Sequence, residues 1–144
     1  MTSGGVVVGT DPGSYEWRVR VDMCHDNTPY LGVTGNFTNT GPVKHLALKY
    51  TVAAGTHCWQ SRYTSNIAGR DVNLAEWGTG DELGVRLVVA DDLTATLLFF
   101  KNGEAVGETA GYSIGSAKEG YRLVIGLDDV GDQMTVLSGP GVRG

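Results

Sequence analysis

No apolar run in this chain approaches the ~20 residues that a membrane-spanning helix needs. Nor does Met1 to Gly9 have the form of a secretory leader, because it lacks a basic region and its apolar block is only Val6-Val7-Val8. These two absences point to an intracellular, cytoplasmic protein with no membrane partner. Basic residues are scarce as well: 11 Lys and Arg against 16 Asp and Glu leave a formal charge of −5. The densest basic spots are Lys44 with Lys49, only two charges, and Arg18 with Arg20, interleaved with Glu16 and Asp22, so no basic stripe exists to track phosphates and nucleic acid is not the expected partner. Cysteine is limited to Cys24 and Cys58, which a reducing compartment keeps as thiols. The sequon Asn36-Phe37-Thr38 stands without a leader and carries little weight. Sustained helical periodicity, internal repeats, linkers and low-complexity segments are also missing. At 144 residues the chain is read as one domain, 1–144, with residues 1–13 as a short arm or edge strand.

Glycine, by contrast, is abundant, at 22 residues. Scattered without a short period, it suits an all-β fold full of turns. The clearest stretch is Gly80 to Gly103. Leu83, Val85, Leu87 and Val89 alternate with Glu82, Gly84, Arg86 and Val88, which places one face on a core. Thr94 to Lys101 follows with apolar residues on both faces, Leu97 and Phe99 against Leu98 and Phe100, and so is expected deep in a packed layer. Asn102-Gly103 has the composition of a type I′ turn, with Ala105 and Val106 as the return strand. Tyr15 to Met23 is the cleanest strand of the first half: Tyr15, Trp17, Val19, Val21 and Met23 share one face, and Glu16, Arg18, Arg20 and Asp22 the wet one.

Further strands are expected at Tyr30–Thr34, Lys44–Val52, His57–Tyr63, Tyr121–Leu127 and Gln133–Leu137. Val6–Gly9 is read as a short edge strand, Gly111–Gly120 as a loop and Gly139–Gly144 as a tail. Thr64–Gly80 is poorly legible, with one helical turn at Asn73–Trp77. Nine or ten short strands with turn signals every ten or so residues argue for an antiparallel two-sheet sandwich.

The segments GDELGVRL and TLLFFKNGEAVG resemble the core signature of SPRY domains. Tyr121–Gly139 is similar to that family's closing strands, and Gly13–Val21 to its opening strand. The resemblance spans Gly13 to Gly139 and is strongest from Gly80 onward. It implies a concanavalin A-like bent β-sandwich that binds a protein or peptide through loops between strands. The sequence departs from the family at Arg18, where members often carry Glu, and in having only fourteen residues before Tyr15. The first strand would then be missing, come from Val6–Gly9, or come from another chain.

Candidate chemistry is thin. Cys24-His25 and His57-Cys58 offer zinc-type ligands, but neighbours on a strand point to opposite faces and the C-x₂₋₄-C spacing is missing. No G-x-S-x-G elbow occurs. Asp91-Asp92 and Asp128-Asp129 with Asp132 lack EF-hand spacing and read as turn acids. The expectation is therefore no metal, no cofactor and no enzymatic activity. Trp17, Phe99 and Tyr121 are assigned to the core. Trp59 and Trp77 sit near loops, either as exposed anchors or as plugs for the ends of the sandwich. The partner-binding candidates, mapped by strand order, are Asn36, Phe37, Trp59, Arg62, Tyr63, Asp129 and Val130. The leading reading is an adaptor-like module that binds a protein or peptide. The alternatives are a lectin-like carbohydrate-binding sandwich and a structural subunit of a larger assembly.

Overall fold

A computed structural model describes residues 7–24, 29–35, 56–62, 65–107, 111–127 and 131–143. Its described residues form eleven strands: β1 Gly13–Met23, β2 Tyr30–Thr34, β3 Thr56–Gln60, β4 Ser65–Ile67, β5 Arg70–Val72, β6 Glu82–Val89, β7 Thr94–Lys101, β8 Glu104–Val106, β9 Tyr112–Ser116, β10 Arg122–Gly126 and β11 Gln133–Arg143. They make two antiparallel sheets. One has the order β11-β1-β6-β7-β8, with β9 also on β7; the other runs β10-β2-β3-β4-β5. The strand expected at Lys44–Val52 lies outside the described residues.

Period-two patterning assigns the faces of the first sheet. Tyr15, Trp17, Val19 and Val21 of β1, Leu83, Val85, Leu87 and Val89 of β6, and Leu97 and Phe99 of β7 are all buried. They meet Leu31, Val33, Trp59, Ile67, Leu123 and Ile125 in one core. The two sheets meet in this core where the Trp59 and Phe99 rings stand 5.4 Å apart, with Trp77 edge-on to Trp59 at 6.2 Å. Aromatic pairs in such offset or edge geometries add about 0.5–1.5 kcal/mol beyond their burial.

The outer face of β1 and β6 carries the alternating charges as ion pairs: Arg18 with Glu82, Arg20 with Asp22 at 2.7 Å, and Arg86 with Glu16 at 2.9 Å. Being solvent-facing, these pairs contribute little to stability. Leu98 and Phe100 also lie on this face and are only half-buried, so β7 is not enclosed on both sides as its sequence suggests. The guanidinium of Arg86 lies 4.6 Å from the Phe100 ring centre and shields it from above.

The turns follow their chemistry. Lys101 pairs with Glu104 across Asn102-Gly103, whose φ values of 51° and 86° satisfy a type I′ turn. A second hairpin of this kind escaped sequence reading: Ala68-Gly69, with φ of 56° and 75°, joins β4 to β5. Asp91 and Asp92 turn β6 into β7, and the Asp92 carboxylate accepts from the Thr94 N–H at 3.1 Å. Gly126 is required by close approach, because a Cβ there would fall 1.9 Å from the Tyr30 ring.

Four local expectations are corrected. Gly111–Gly120 contains β9. Its strand character is masked in sequence by Gly115, at φ 95°, beside a register shift against β7. The supposed tail continues β11 along β1 as far as Arg143 opposite Ser14. Asn73–Trp77 forms no helical turn, because Trp77 N–H donates to Ser61 O at 3.1 Å and ties the segment across the end of the sandwich instead. Met23 is 43% exposed, because a bulge between Val21 and Met23 breaks its alternation. Val8 of the expected edge strand makes an isolated bridge to Tyr121, with bonds of 2.9 and 2.8 Å.

His57 is a buried ionisable group, at 5% exposure. Ala68 N–H donates to its Nδ1 at 2.8 Å, which leaves the proton on Nε2, buried without a partner among the described residues. Burial pushes its pKa down to about 4.

Two predictions follow from this packing. Phe99→Ala should cost about 3–5 kcal/mol in urea unfolding. Gly103→Ala should cost about 1–2 kcal/mol, all of it conformational, since the added Cβ meets nothing within 4 Å. A third concerns pH. An unfolded His57 takes up a proton near pH 6.5, whereas the folded one resists until about 4. Stability should therefore fall as pH drops from 6.5 towards 4, by up to about 3 kcal/mol. In thermal melts at stepped pH, a His57→Leu variant should lose that slope even though its own stability is lower.

Candidate functional site

Three antiparallel strand pairs bring separate segments to one end of the sandwich. Tyr30 lies opposite both Gln60 and Gly126, so β2 begins where β3 and β10 finish. Met23 and Gln133 meet at the same end of the other sheet, and the β7–β8 turn lies there too. This end therefore displays Met23 and Leu127, both 43% exposed, together with exposed Arg62.

A dense set of hydrogen bonds fixes the platform beneath them. The Ser61 hydroxyl donates to Trp77 O, Trp77 N–H returns to Ser61 O at 3.1 Å, and Ser61 N–H donates to Pro29 O at 3.0 Å. Cys24 N–H donates to Thr79 Oγ1 at 2.8 Å, and Cys24 Sγ lies 3.5 Å from Ser61 Oγ. The indole N–H of Trp59 donates to Ala75 O at 2.9 Å, and the Lys101 ammonium to Glu76 O at 2.8 Å. Asp81 is the electrostatic centre of the platform. Burial alone would raise its pKa, but hydrogen bonds from Asn102 Nδ2 at 3.0 Å and Gly78 N–H at 2.8 Å, with the Lys101 charge, hold it below the usual carboxylate range. The side chain of Asn102 thus anchors the hairpin in addition to accepting its backbone conformation.

A second feature lies on the open side of the sandwich. A cleft of about 330 Å³ runs between β5 and β9, lined by Arg70, Asp71, Val72, Asn73, Gly111, Tyr112 and Ser113. Among the described residues β5 pairs only with β4 and β9 only with β7, so each strand presents a backbone edge. The sequence gives little hint of this cleft, because β5 is three residues long and the glycines flanking Tyr112 read as a loop.

The candidates chosen from sequence separate on this framework. Arg62 is exposed at the end just described. Trp59 is a correction: at 0% exposure it is core, sealed between Phe99 and Trp77, and its ring cannot meet a partner. Asn36, Phe37, Tyr63, Asp129 and Val130 lie outside the described residues. The chain leaves β2 towards Asn36 from the end opposite Arg62, because Thr34 pairs with Thr56 while Tyr30 pairs with Gln60.

Metal and nucleophile chemistry gain no support from the geometry. Among the described residues no three His, Cys, Asp or Glu side chains gather. Cys58 lies with Tyr30 and Val124 on the face of β3 opposite His57, and burial pushes its thiol pKa up, which keeps it protonated. No disulfide joins Cys24 and Cys58.

By sequence, the chain matches no protein-family profile and no curated protein. By structure it is similar to the human SPRY domain, with a TM-score of 0.66 at 16% identity over 92% of this chain and 80% of that one. Two antiparallel sheets closed by β11 on β1, together with that similarity, give the chain the fold of a SPRY domain.

Proposed function

We propose that this chain is a non-enzymatic module that binds a protein or peptide at the end displaying Met23, Arg62 and Leu127, with Tyr63, Asp129 and Val130, their neighbours in sequence, as further contacts. The observation that carries the reading is the combination of two exposed large apolar side chains and an arginine on a hydrogen-bonded, pre-set platform. A rigid surface loses little freedom on binding, and apolar area beside Arg is the usual make-up of an interface hot spot. The SPRY fold supports the same reading, because the family resemblance implies recognition through loops. Asn36 and Phe37, which follow the opposite end of β2, are proposed as a separate, secondary contact.

The carbohydrate-binding alternative is weakened by a specific observation. All three tryptophans are buried, Trp17 at 3%, Trp59 at 0% and Trp77 at 4%, so none offers a face for a sugar ring.

The test is quantitative binding to partners identified by affinity purification. Arg62→Ala and Leu127→Asp should each weaken binding roughly thirtyfold, the loss of about 2 kcal/mol typical of a hot spot, with melting temperature unchanged. Arg20→Ala, on the ion-paired sheet face, should have little effect. Full affinity in both loop variants, with loss on changing Arg18 or Arg20, would place the interface on the sheet instead.

A further inference from the structure

We propose that the cleft between β5 and β9 is a second binding site, which takes an extended peptide segment with one carboxylate side chain seated on Arg70. It lies along the side of the sandwich, from Arg70 to Asn73, where the chain turns towards the loop end, and does not depend on the loop-end reading.

Three observations converge on it. The first is an uncommitted cation. Arg18, Arg20 and Arg86 each hold a carboxylate, and Arg62 and Arg122 are also engaged. Arg70 has no ion pair or side-chain hydrogen bond among the described residues. It pairs with Ile67, a core residue, so its side chain leaves β5 on the inward side, at the lip of the cleft. The second is an orphaned hydroxyl. Tyr112 lines the cleft at 7% exposure, and its OH, close over the Gly107 backbone and Leu74, has no hydrogen-bond partner among the described residues. Such a group is destabilising while unsatisfied; the OH itself is enclosed, so an acceptor in the cleft reaches it only when the Tyr112 side chain turns towards the cleft. The third is the pair of strand edges, which offer main-chain donors and acceptors to an added strand.

The chemistry of the occupant follows from the lining. Arg70, Asn73 and Ser113 can donate to a carboxylate, and Val72 and Tyr112 supply apolar walls. A volume near 330 Å³ is at the small end for ligand sites and accommodates side chains of one strand, not a folded domain. The formal charge of −5 opposes an acidic run, so a single Asp or Glu among uncharged residues is favoured.

The experiment is to pan a displayed library of random dodecapeptides on the full chain. The best peptide is then measured by fluorescence polarisation and by amide chemical-shift mapping. The expected result is an enriched Asp or Glu, shifts at Arg70–Val72 and Tyr112–Ser116, and at least a tenfold loss on Arg70→Ala. Replacing the peptide's acid by its amide should give the same loss, with no additional loss when combined with Arg70→Ala. No enrichment, enrichment without an acid, or unchanged affinity in Arg70→Ala would overturn the proposal. Shifts centred on Arg62 and Leu127 would also overturn it while leaving the loop-end reading intact.

Discussion

The contact between Trp59 and Phe99 is the constraint on which the rest depends. One ring comes from each sheet, and at 5.4 Å between centroids they set the distance and alignment of the two layers. Neither strand could supply this alone. β7 delivers Phe99 by alternation, and β3 delivers Trp59 only because β2 and β4 hold it in place on either side. Once Trp59 is fixed, its indole N–H claims Ala75 O and its face receives Trp77. The segment from Asn73 to Asp81 is thereby drawn across the end of the sandwich, and the hydrogen bonds of Ser61, Thr79 and Asp81 become possible.

That sequence of dependence explains why the same end combines rigidity with exposed apolar surface. Most of its backbone polar groups are paired with one another beneath the surface, although the Tyr30 hydroxyl and the Trp77 indole N–H are buried without a partner among the described residues, and Met23 and Leu127 are left exposed on top. The outer face of β1 and β6 solves the opposite problem. Its charges are paired across neighbouring strands or, for Arg20 with Asp22, along β1, with Arg86 covering Phe100, and little unsatisfied chemistry remains to recruit a partner.

Legibility in the sequence tracked the range of the interactions involved. β1, β6 and β7 were readable because alternation reports a sheet with one wet face, and Asn102-Gly103 because few other pairs accept two positive φ values. β4 and β5 were not, since three residues cannot establish a period and the turn at Ala68 is held by a hydrogen bond to His57, eleven residues earlier in sequence. Trp59 was misjudged as an anchor for a similar reason: alternation shows that it faces one side, and only the position of Phe99 shows which side is closed. Within the candidate site Arg62 was legible as an exposed arginine after a strand. Arg70 was not, because its significance lies in having no ion pair among the described residues, and that requires knowing where each nearby carboxylate went.

The pairing of β11 with β1 has a consequence for biosynthesis. β11 follows every other described strand, and about 120 residues separate the end of β1 from the end of β11. At ribosomal rates of ~5–20 residues per second, β1 waits on the order of 10 s for its outer neighbour. During that interval one of its hydrogen-bonding edges stays open to any other nascent strand. Arg18, Arg20 and Glu16 then act as guards, since charge on an open edge discourages illegitimate pairing before the legitimate partner leaves the exit tunnel.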